Sequence, residues 1–332
     1  MAECVLAADL GGTKLALAAV DRRGRIRERR SERVDTSSVH APAAQILRIA
    51  NDLSARVDEF GAAAVAVPGL VGRNGTVWAP NLRGWESVPL ARMLCRKLRI
   101  PVVVESDRNA AVLGEAWRGA ARGKPDVIVL IAGTGIGAGI LSGGRLVRGA
   151  HELSGCAGWM AVSDRNGAEV RRFGGLEAFA SGAGIARAAR KVIRSGYGAK
   201  FRRLEELTAK RVAELARAGD RTAKQIWQSA GRQLGLAVAN LISLFDPEVV
   251  VFGGGMAGAA DLFWDELTRT ALARCQPLAA KQVQIRLSKL GGDANLLGCA
   301  RLAWDAVEKH SALSRQHSAR GSPSRNLAEL EH

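Results

Sequence analysis

The first 117 residues alternate between short apolar runs that end in turn residues and longer stretches with helical periodicity. Apolar runs bounded by glycine or proline are typical of strands, whereas apolar positions that recur every three or four residues are typical of helices. The first predicted strand ends at Asp9 and a glycine turn. The pattern predicts, in chain order, strands at 5–8, 15–20, 26 onward, 63–67 and 102–105, and helices at 43–60, 90–98 and 109–117.

The opening pattern recurs in the second part of the chain. A predicted strand at 126–132 ends in a second glycine turn, and another strand at 138–141 follows. The two turns, at residues 11 and 133, are 122 positions apart, which suggests a duplicated domain rather than a short solenoid repeat. The remaining pattern predicts strands at 146–147, 249–252 and 283–287, and helices at 176–195, 208–217, 222–244, 260–273 and 294–308.

Three of the predicted strands end in glycine turns, which begin at Gly11, Gly133 and Gly253. A turn whose backbone N–H groups point inward forms an anion-binding nest, and glycine lets phosphate oxygens approach the backbone closely. Taken singly, each turn is explained equally well as a tight hairpin. Asp9 favours a phosphate site at the first turn, because a carboxylate beside a phosphate nest can hold Mg²⁺ through water.

Length and composition restrict the class of protein. A chain of 332 residues is long enough for about two domains. No apolar run approaches the roughly 18 residues that cross a bilayer, and the first residues lack the basic segment of a signal peptide. The five cysteines are scattered without a CxxC pair, which favours reduced thiols over a disulfide framework. We therefore expect a cytoplasmic protein with no membrane partner.

The net charge of +16 raises the possibility of a nucleic-acid partner. Arginine pairs are spread along the chain instead of being gathered in one segment, and one Tyr and seven Phe offer few rings to stack on bases. A solvated basic surface explains the charge better, with a mild attraction for anionic substrates as a benefit. We expect no nucleic-acid partner.

Four motifs, in their order and spacing, resemble those of the ROK family of bacterial sugar kinases and repressors. The resemblance covers about residues 3 to 308, and 81–85, 174–177 and 291–294 look like further landmarks of the family. Repressors of the family carry an N-terminal DNA-binding domain for which this chain has no room, so the resemblance points to the kinases. The motifs are Asp9-Leu10-Gly11-Gly12-Thr13-Lys14, Glu105-Ser106-Asp107-Arg108-Asn109-Ala110-Ala111, Gly133-Thr134-Gly135-Ile136-Gly137 and Gly253-Gly254-Gly255.

The resemblance implies a two-domain, actin-like ATPase fold of the α/β class (ribonuclease H-like), with ATP and sugar in the cleft between the domains. Residues 1–117 with 294–309 would form the smaller N-terminal domain, and 118–293 the larger C-terminal domain. Residues 310–332 are rich in Ser, Arg, Gly and Pro, which predicts a disordered tail. The family also implies a homodimer.

Carried over residue by residue, the resemblance assigns a role to each motif. Asp107 matches the general base, although Asp-x-Asn before an Ala-rich run is also a helix N-cap pattern. Asp9 would hold Mg²⁺ through water, and Asn81, Ser106 and Glu177 would contact the sugar. The expected ATP-binding residues are Asp9, Gly11, Gly12, Thr13, Lys14, Gly133, Thr134, Gly135, Gly254 and Gly255.

The sugar side departs from the family pattern. Family kinases carry a Glu-x-Gly-His motif whose glutamate and histidine hold the sugar, and whose histidine also binds a structural zinc; here Cys156 and Trp159 occupy those positions. The positions of the zinc cysteines fall on Ala168, Val170 and Gly175, so we expect no zinc. Trp159 could offer a face to a sugar ring, but we expect it to fill the volume left by the zinc module.

Ser106 replaces the asparagine that commonly precedes the catalytic aspartate, so three polar sugar contacts are lost or altered. The leading hypothesis is an ATP-dependent, zinc-independent kinase for a hexose or amino-hexose, similar to a glucokinase. The alternative is a non-catalytic sugar- or nucleotide-binding protein that retains the fold. The intact glycine turns and Asp107 favour the kinase, whereas the altered sugar contacts favour the binding protein. A third hypothesis, a nucleic-acid-associated regulator, is suggested by the net charge alone.

Overall fold

The structure is a computed structural model that describes residues 2–57, 59–164, 166–195, 201 and 206–320, the last eight of them by their backbone. Its strands form two five-stranded sheets and one small hairpin. The strands are β1 (Cys4–Leu10), β2 (Lys14–Asp21), β3 (Ile26–Arg33), β4 (Phe60–Val67), β5 (Leu70–Val71), β6 (Val77–Trp78), β7 (Val102–Ser106), β8 (Val127–Ala132), β9 (Ile136–Ser142), β10 (Arg145–Leu146), β11 (Val249–Gly253) and β12 (Gln284–Leu287).

The helices within the described ranges are interspersed among the strands, with a run of five between β10 and β11. They are α1 (Ala41–Ser54), α2 (Leu90–Leu98), α3 (Asp107–Arg118), α4 (Ala168–Phe173), α5 (Glu177–Ala180), α6 (Gly182–Arg194), α7 (Ala209–Arg217), α8 (Arg221–Phe245), α9 (Trp264–Arg274), α10 (Pro277–Ala280) and α11 (Ala294–Arg320), with 3₁₀ turns at Ala157–Trp159, Gly255–Leu262 and Gly291–Asp293. None of these helices is long and apolar enough to cross a membrane.

The two large sheets share one topology. The first has the order β3-β2-β1-β4-β7 and the second β10-β9-β8-β11-β12. In each, three strands run as an antiparallel meander and the two remaining strands lie parallel to the first strand of the meander. The glycine turns therefore close the corresponding hairpin of each sheet, β1–β2 and β8–β9. The duplication predicted from the sequence is present in the fold.

The strands at the centre of the sheets are apolar on both faces because helices cover both faces. In β1, Leu6 and Leu10 pack towards α1 and α2, while Val5 packs towards α11. Helix α3 contributes Ala110 to the core of the first sheet and Val112 to that of the second. The helix that begins at Asp107 therefore lies between the two sheets.

Helix α11 returns to the first sheet, as the sequence predicts. Its Trp304 Nε1 donates to the carbonyl of Asp21 at 3.1 Å, and α11 crosses α3 at two glycines. A Cβ at Gly298 would lie 1.7 Å from the Ala110 carbonyl oxygen, and a Cβ at Gly114 would lie 2.1 Å from that of Ala294. Only glycine permits this close approach. The domain boundaries assigned from the resemblance stay a prediction.

Several element ends differ from the predicted ones. The helix predicted at 43–60 ends at Ser54, and Phe60 opens β4. The helix predicted at 176–195 is divided at Ser181, whose hydroxyl caps α6 by accepting from the Gly184 N–H at 3.0 Å. Residues 310–320, predicted as part of a disordered tail, continue α11 to Arg320, since no Gly or Pro interrupts the chain before Gly321. The rest of that tail lies outside the described residues.

Candidate active site

Asp107 lies where strand β7 ends and α3 begins, between the two sheets. Its Oδ1 accepts a hydrogen bond from the Arg108 N–H at 2.8 Å. Burial is the main cause that raises the pKa of Asp107 to about 6; the Arg108 N–H opposes this rise, and the negative charge of Asp9 adds to it. A carboxyl group with this pKa is suited to take up a proton near neutral pH.

The N-cap interpretation of Asp107 is wrong in its detail. Helix α3 begins at Asp107 itself, so that Ser106 holds the N-cap position and makes no side-chain capping bond. The sequence pattern suggested a helix beginning near Asn109, two residues later. Asp107 therefore lies in the first turn of α3, where the helix dipole favours a negative charge. Its second carboxylate oxygen is not needed to cap the helix.

Asp9 lies near the end of β1, beside the first glycine turn. Its Oδ1 accepts a hydrogen bond from Asn295 Nδ2 at 3.0 Å. Burial raises the pKa of Asp9, while the bond from Asn295 and the charges of Lys14 and Arg29 act in the opposite direction. Sequence reasoning noted the segment 291–294 but missed Asn295, which is the first polar residue on the inner side of α11.

Both carboxylates face one cavity between the sheets. This cavity of about 320 Å³ is lined by Asp9, Asp107, Asn295 and the third glycine turn, including Gly254 and Gly255. The predicted catalytic and magnesium-binding residues are thus brought together by two different strands, β1 and β7. Asp9 and Asp107 meet, although they are far apart in the sequence, because β1 and β7 both lie next to β4 in the same sheet.

A second cavity of about 690 Å³ adjoins the first, and Gly255 lines both. Gly133 and Thr134 of the second glycine turn form one wall of this larger cavity, and the buried Trp227 lies on another. Gly254 has φ +86°, and a Cβ there would lie 2.4 Å from the Ala132 carbonyl oxygen. The third glycine turn is therefore seated directly against the end of β8, next to the second.

The first glycine turn is a tight hairpin that leaves its tip exposed. The Gly11 N–H donates to the Lys14 carbonyl at 2.9 Å, and Gly12, Thr13 and Lys14 are all exposed. A Cβ at Gly12 would lie 3.7 Å from the Cβ of Asn81, so Asn81, also exposed, stands beside this turn. These residues are positioned to meet a ligand that enters the cleft.

Glu177 and Ser106, predicted to contact the sugar, are both held by neighbouring groups. Glu177 Oε2 accepts from the Ile136 N–H at 2.8 Å, and a Cβ at Gly135 or Gly158 would lie within 3 Å of that oxygen. Glu177 is therefore seated between the second glycine turn and the segment that carries Trp159. Ser106 is buried, and its N–H donates to Glu105 Oε1 at 2.9 Å.

Trp159 does not fill a space in the core, so the expectation that it replaces the zinc module is wrong. Its side chain is 62% exposed, the highest fraction among the exposed tryptophans of the described chain. Trp159 closes a single 3₁₀ turn, Ala157–Trp159, that follows the half-buried Cys156; Ala157 and Gly158 are buried, whereas Trp159 projects to the surface.

Sequence reasoning also missed a set of charged contacts around Glu105. This glutamate is 2% exposed and pairs with Arg148 at 2.5 Å, while its Oε1 accepts from Asn109 Nδ2 at 2.9 Å. The pair joins β7 of the first sheet to the segment after β10 of the second. The residues are 43 positions apart, which no local pattern connects.

Similarity to known proteins extends along almost the whole chain. A model of the ROK family matches residues 5–306. The chain is 32% identical to the glucokinase of Thermotoga maritima, over 91% of the chain and 98% of that protein. It is 38% identical to the bifunctional enzyme NanE/NanK of Brucella melitensis biotype 1 over 90% of the chain, which spans 54% of that longer protein. The ROK family glucokinase from Streptomyces griseus in complex with glucose and AMPPNP superposes with a TM-score of 0.76 at 30% identity, covering 91% of this chain and 99% of that one.

Proposed function

The chain belongs to the ROK family, and on this premise we propose that it is an ATP-dependent sugar kinase that acts on a hydroxyl of a hexose or an amino-hexose. The observation that carries the proposal is that Asp107, which matches the general base of the family, faces one cavity with Asp9 and the third glycine turn. The sugar class is supported by relatives named glucokinase and NanE/NanK.

ATP would occupy the two adjoining cavities. The larger one has a volume typical of small-molecule sites and would take the adenosine, with Gly255 at its border and Gly254 beside it in the smaller cavity. Gly133 and Gly11 would border the phosphates, although each donates its own N–H within its turn. The N–H groups of Thr134 and Gly135 in the second turn, and of Gly12 and Thr13 in the first with Lys14 nearby, would face the phosphates.

Mg²⁺ fits the pair of carboxylates. Burial raises the pKa of both Asp9 and Asp107, and the charge of Asp9 raises that of Asp107 further. A divalent cation beside them would favour their ionised forms. Asp9 would hold the ion through water, with Asn295 fixing the orientation of its carboxylate. Bound Mg²⁺ would neutralise phosphate charge.

Phosphoryl transfer needs alignment and charge neutralisation more than covalent help from the protein. Asp107 would accept the proton of the sugar hydroxyl as that oxygen bonds to the γ-phosphorus of ATP, and the bond to the ADP oxygen would break. Asn81, Ser106 and Glu177 would orient the sugar. We also propose that the protein is a homodimer, as the family resemblance implies.

ADP release measured over a broad panel of hexoses and amino-hexoses is the experiment that tests the function. We expect one or more sugars to accelerate ADP release well above the rate with ATP alone. If no sugar does so while nucleotide or sugar still binds by calorimetry, the non-catalytic binding protein becomes the better description. Cys156 and Trp159 favour that alternative, since they replace two polar groups of the family's sugar site.

The acidic side of the pH–rate profile should report the ionisation of Asp107. A base must be deprotonated, so we expect kcat/KM for the Mg²⁺–ATP complex, which reports the enzyme before the ion is bound, to fall about tenfold per pH unit below about 6 and to level off above it. Because the folded-state pKa lies above the ordinary 3.8, the folded protein binds the extra proton, and this group's contribution to the free energy of unfolding decreases as pH rises from about 4 to about 6. A profile that stays flat down to about pH 5 contradicts the assignment.

We further propose that the protein functions without zinc. All four positions of the family's zinc ligands hold residues that cannot coordinate it, namely Trp159, Ala168, Val170 and Gly175. Elemental analysis of protein purified without chelator is expected to give far less than one zinc per chain, and EDTA should leave the melting temperature unchanged in the absence of Mg²⁺ and nucleotide. About one zinc per chain, or a lower melting temperature with EDTA, contradicts the proposal.

A further inference from the structure

Residues 149–155 form a loop on the sugar side of the cleft that leads directly into Cys156 and Trp159. We call it the 149–155 loop. Arg108 holds this loop by its backbone: Nη2 donates to the Glu152 carbonyl at 3.0 Å, and Nε donates to the Ser154 carbonyl at 3.2 Å. Two parallel donors from one planar guanidinium fix both the distance and the orientation of the loop.

Arg108 reaches the loop because α3 packs unusually closely on β9. A Cβ at Gly139 would lie 2.1 Å from the Arg108 carbonyl oxygen, and a Cβ at Gly137 would lie 3.7 Å from its Cδ. The bare backbone of β9 thus leaves a path for the side chain. At the far end of the loop, the Gly155 carbonyl accepts from the Ala138 N–H at 2.7 Å, and Arg108 Cδ lies 3.5 Å from the position of a Cβ at Gly155.

Resting on the kinase function proposed above, we propose that Arg108 is a positioning residue, which ties the 149–155 loop to the helix that carries Asp107. Asp107 and Arg108 are consecutive in α3, so the carboxylate and the guanidinium move as one unit. The sugar would lie between the carboxylate and the segment that follows the loop. Arg108 would therefore set the spacing between the general base and the groups that orient its substrate.

Two further arginines lie close to the side chain of Glu152, which belongs to the 149–155 loop. Its carboxylate lies 3.6 Å from Arg73, in the turn of the β5–β6 hairpin, and 3.6 Å from Arg148. Glu152 has φ +59°, a left-handed conformation that is unfavourable for a non-glycine residue and persists only where the surroundings impose it. The loop is thus held in one conformation by contacts from α3, the β5–β6 hairpin and β9.

A role through charge alone is the competing explanation. The cation of Arg108 also lowers the pKa of Asp107, although less than burial raises it. A lysine retains the positive charge but cannot donate to two carbonyls in the geometry of a guanidinium. Arg108→Lys therefore separates positioning from charge, and Arg108→Met removes both while retaining most of the side-chain volume.

We expect both Arg108→Lys and Arg108→Met to lower kcat/KM for the sugar by about 10- to 100-fold, with most of the change in the KM of the sugar. The Kd of ATP should stay within about twofold of wild type. Arg122→Met is the matched control, because Arg122 is exposed and lies just beyond the end of the same helix. It should behave as wild type.

Hydrogen exchange gives a readout that does not depend on turnover. Amides of the 149–155 loop should exchange faster in both Arg108 variants than in wild type, and at the wild-type rate in Arg122→Met. The amides of strands β8 and β11 should stay protected in all variants. The proposal is overturned if Arg108→Lys restores the wild-type KM or if the loop amides stay as protected as in wild type. If Arg108→Met does not fold, Arg108→Lys carries the test. A wild type that turns over no sugar defeats the kinase proposal, while the exchange measurement still decides the role of Arg108.

Discussion

Asp107→Asn is expected to lower kcat by about 10²–10⁴-fold, the usual cost of losing a general base. Asparagine has the size of aspartate and retains an oxygen that can accept the Arg108 N–H, so the local geometry should persist. It cannot accept the hydroxyl proton. Because the substitution also removes a buried negative charge whose pKa is raised, the melting temperature near neutral pH should be unchanged or higher.

The measurement is kcat with a sugar that the wild type demonstrably phosphorylates, together with ATP binding and thermal melting. Asp265→Asn is the matched control, because Asp265 is an exposed carboxylate in the first turn of α9 and lines neither cavity. It should retain wild-type activity. A fully active Asp107→Asn would show that the mechanism is wrong, and a large loss of melting temperature would show that Asp107 is mainly structural.

The sequence predicted the glycine turns and Asp107 because these features are local. A strand that ends at a glycine turn is encoded by adjacent residues, and two copies of the pattern predicted the repeated topology of the sheets. The approach of Asp9 and Asp107 also follows from local patterns, once both are known to end strands of one sheet. The roles of the individual site residues came from the family resemblance and stay proposals.

The contacts that hold the site could not be predicted in the same way. Asn295 meets Asp9 across 286 positions of sequence, and Arg108 meets the Glu152 carbonyl across 44. Such contacts depend on how α3 packs against α11 and β9, which is set by glycines such as Gly114 and Gly139 whose purpose no short pattern reveals. Trp159 was misjudged for a related reason. An apolar side chain is usually assigned to the core, and its exposure depends on what the rest of the fold leaves uncovered.

Asp9→Asn should weaken the apparent affinity for Mg²⁺ by about 10- to 100-fold, as is usual when a residue that orients the metal's water ligands is lost. The amide oxygen of asparagine can still accept the hydrogen bond from Asn295, so α11 and β1 should stay together. The loss of a carboxylate whose pKa burial has raised should not lower the melting temperature at neutral pH. We therefore expect Asp9→Asn to weaken the affinity for Mg²⁺ without lowering the melting temperature.

A titration of Mg²⁺ at fixed ATP distinguishes the two aspartates. The activity of Asp9→Asn should recover in part at high Mg²⁺, because excess ion compensates for weaker binding by mass action. Asp107→Asn should not recover, since added cation cannot replace a proton acceptor, and it thus serves as the matched control for Asp9→Asn. If Asp9→Asn shows the wild-type dependence on Mg²⁺ together with wild-type kcat, then Asp9 does not serve the ion. In that case the raised pKa of Asp9 would reflect only the burial of a carboxylate that Asn295 and Lys14 help to keep charged.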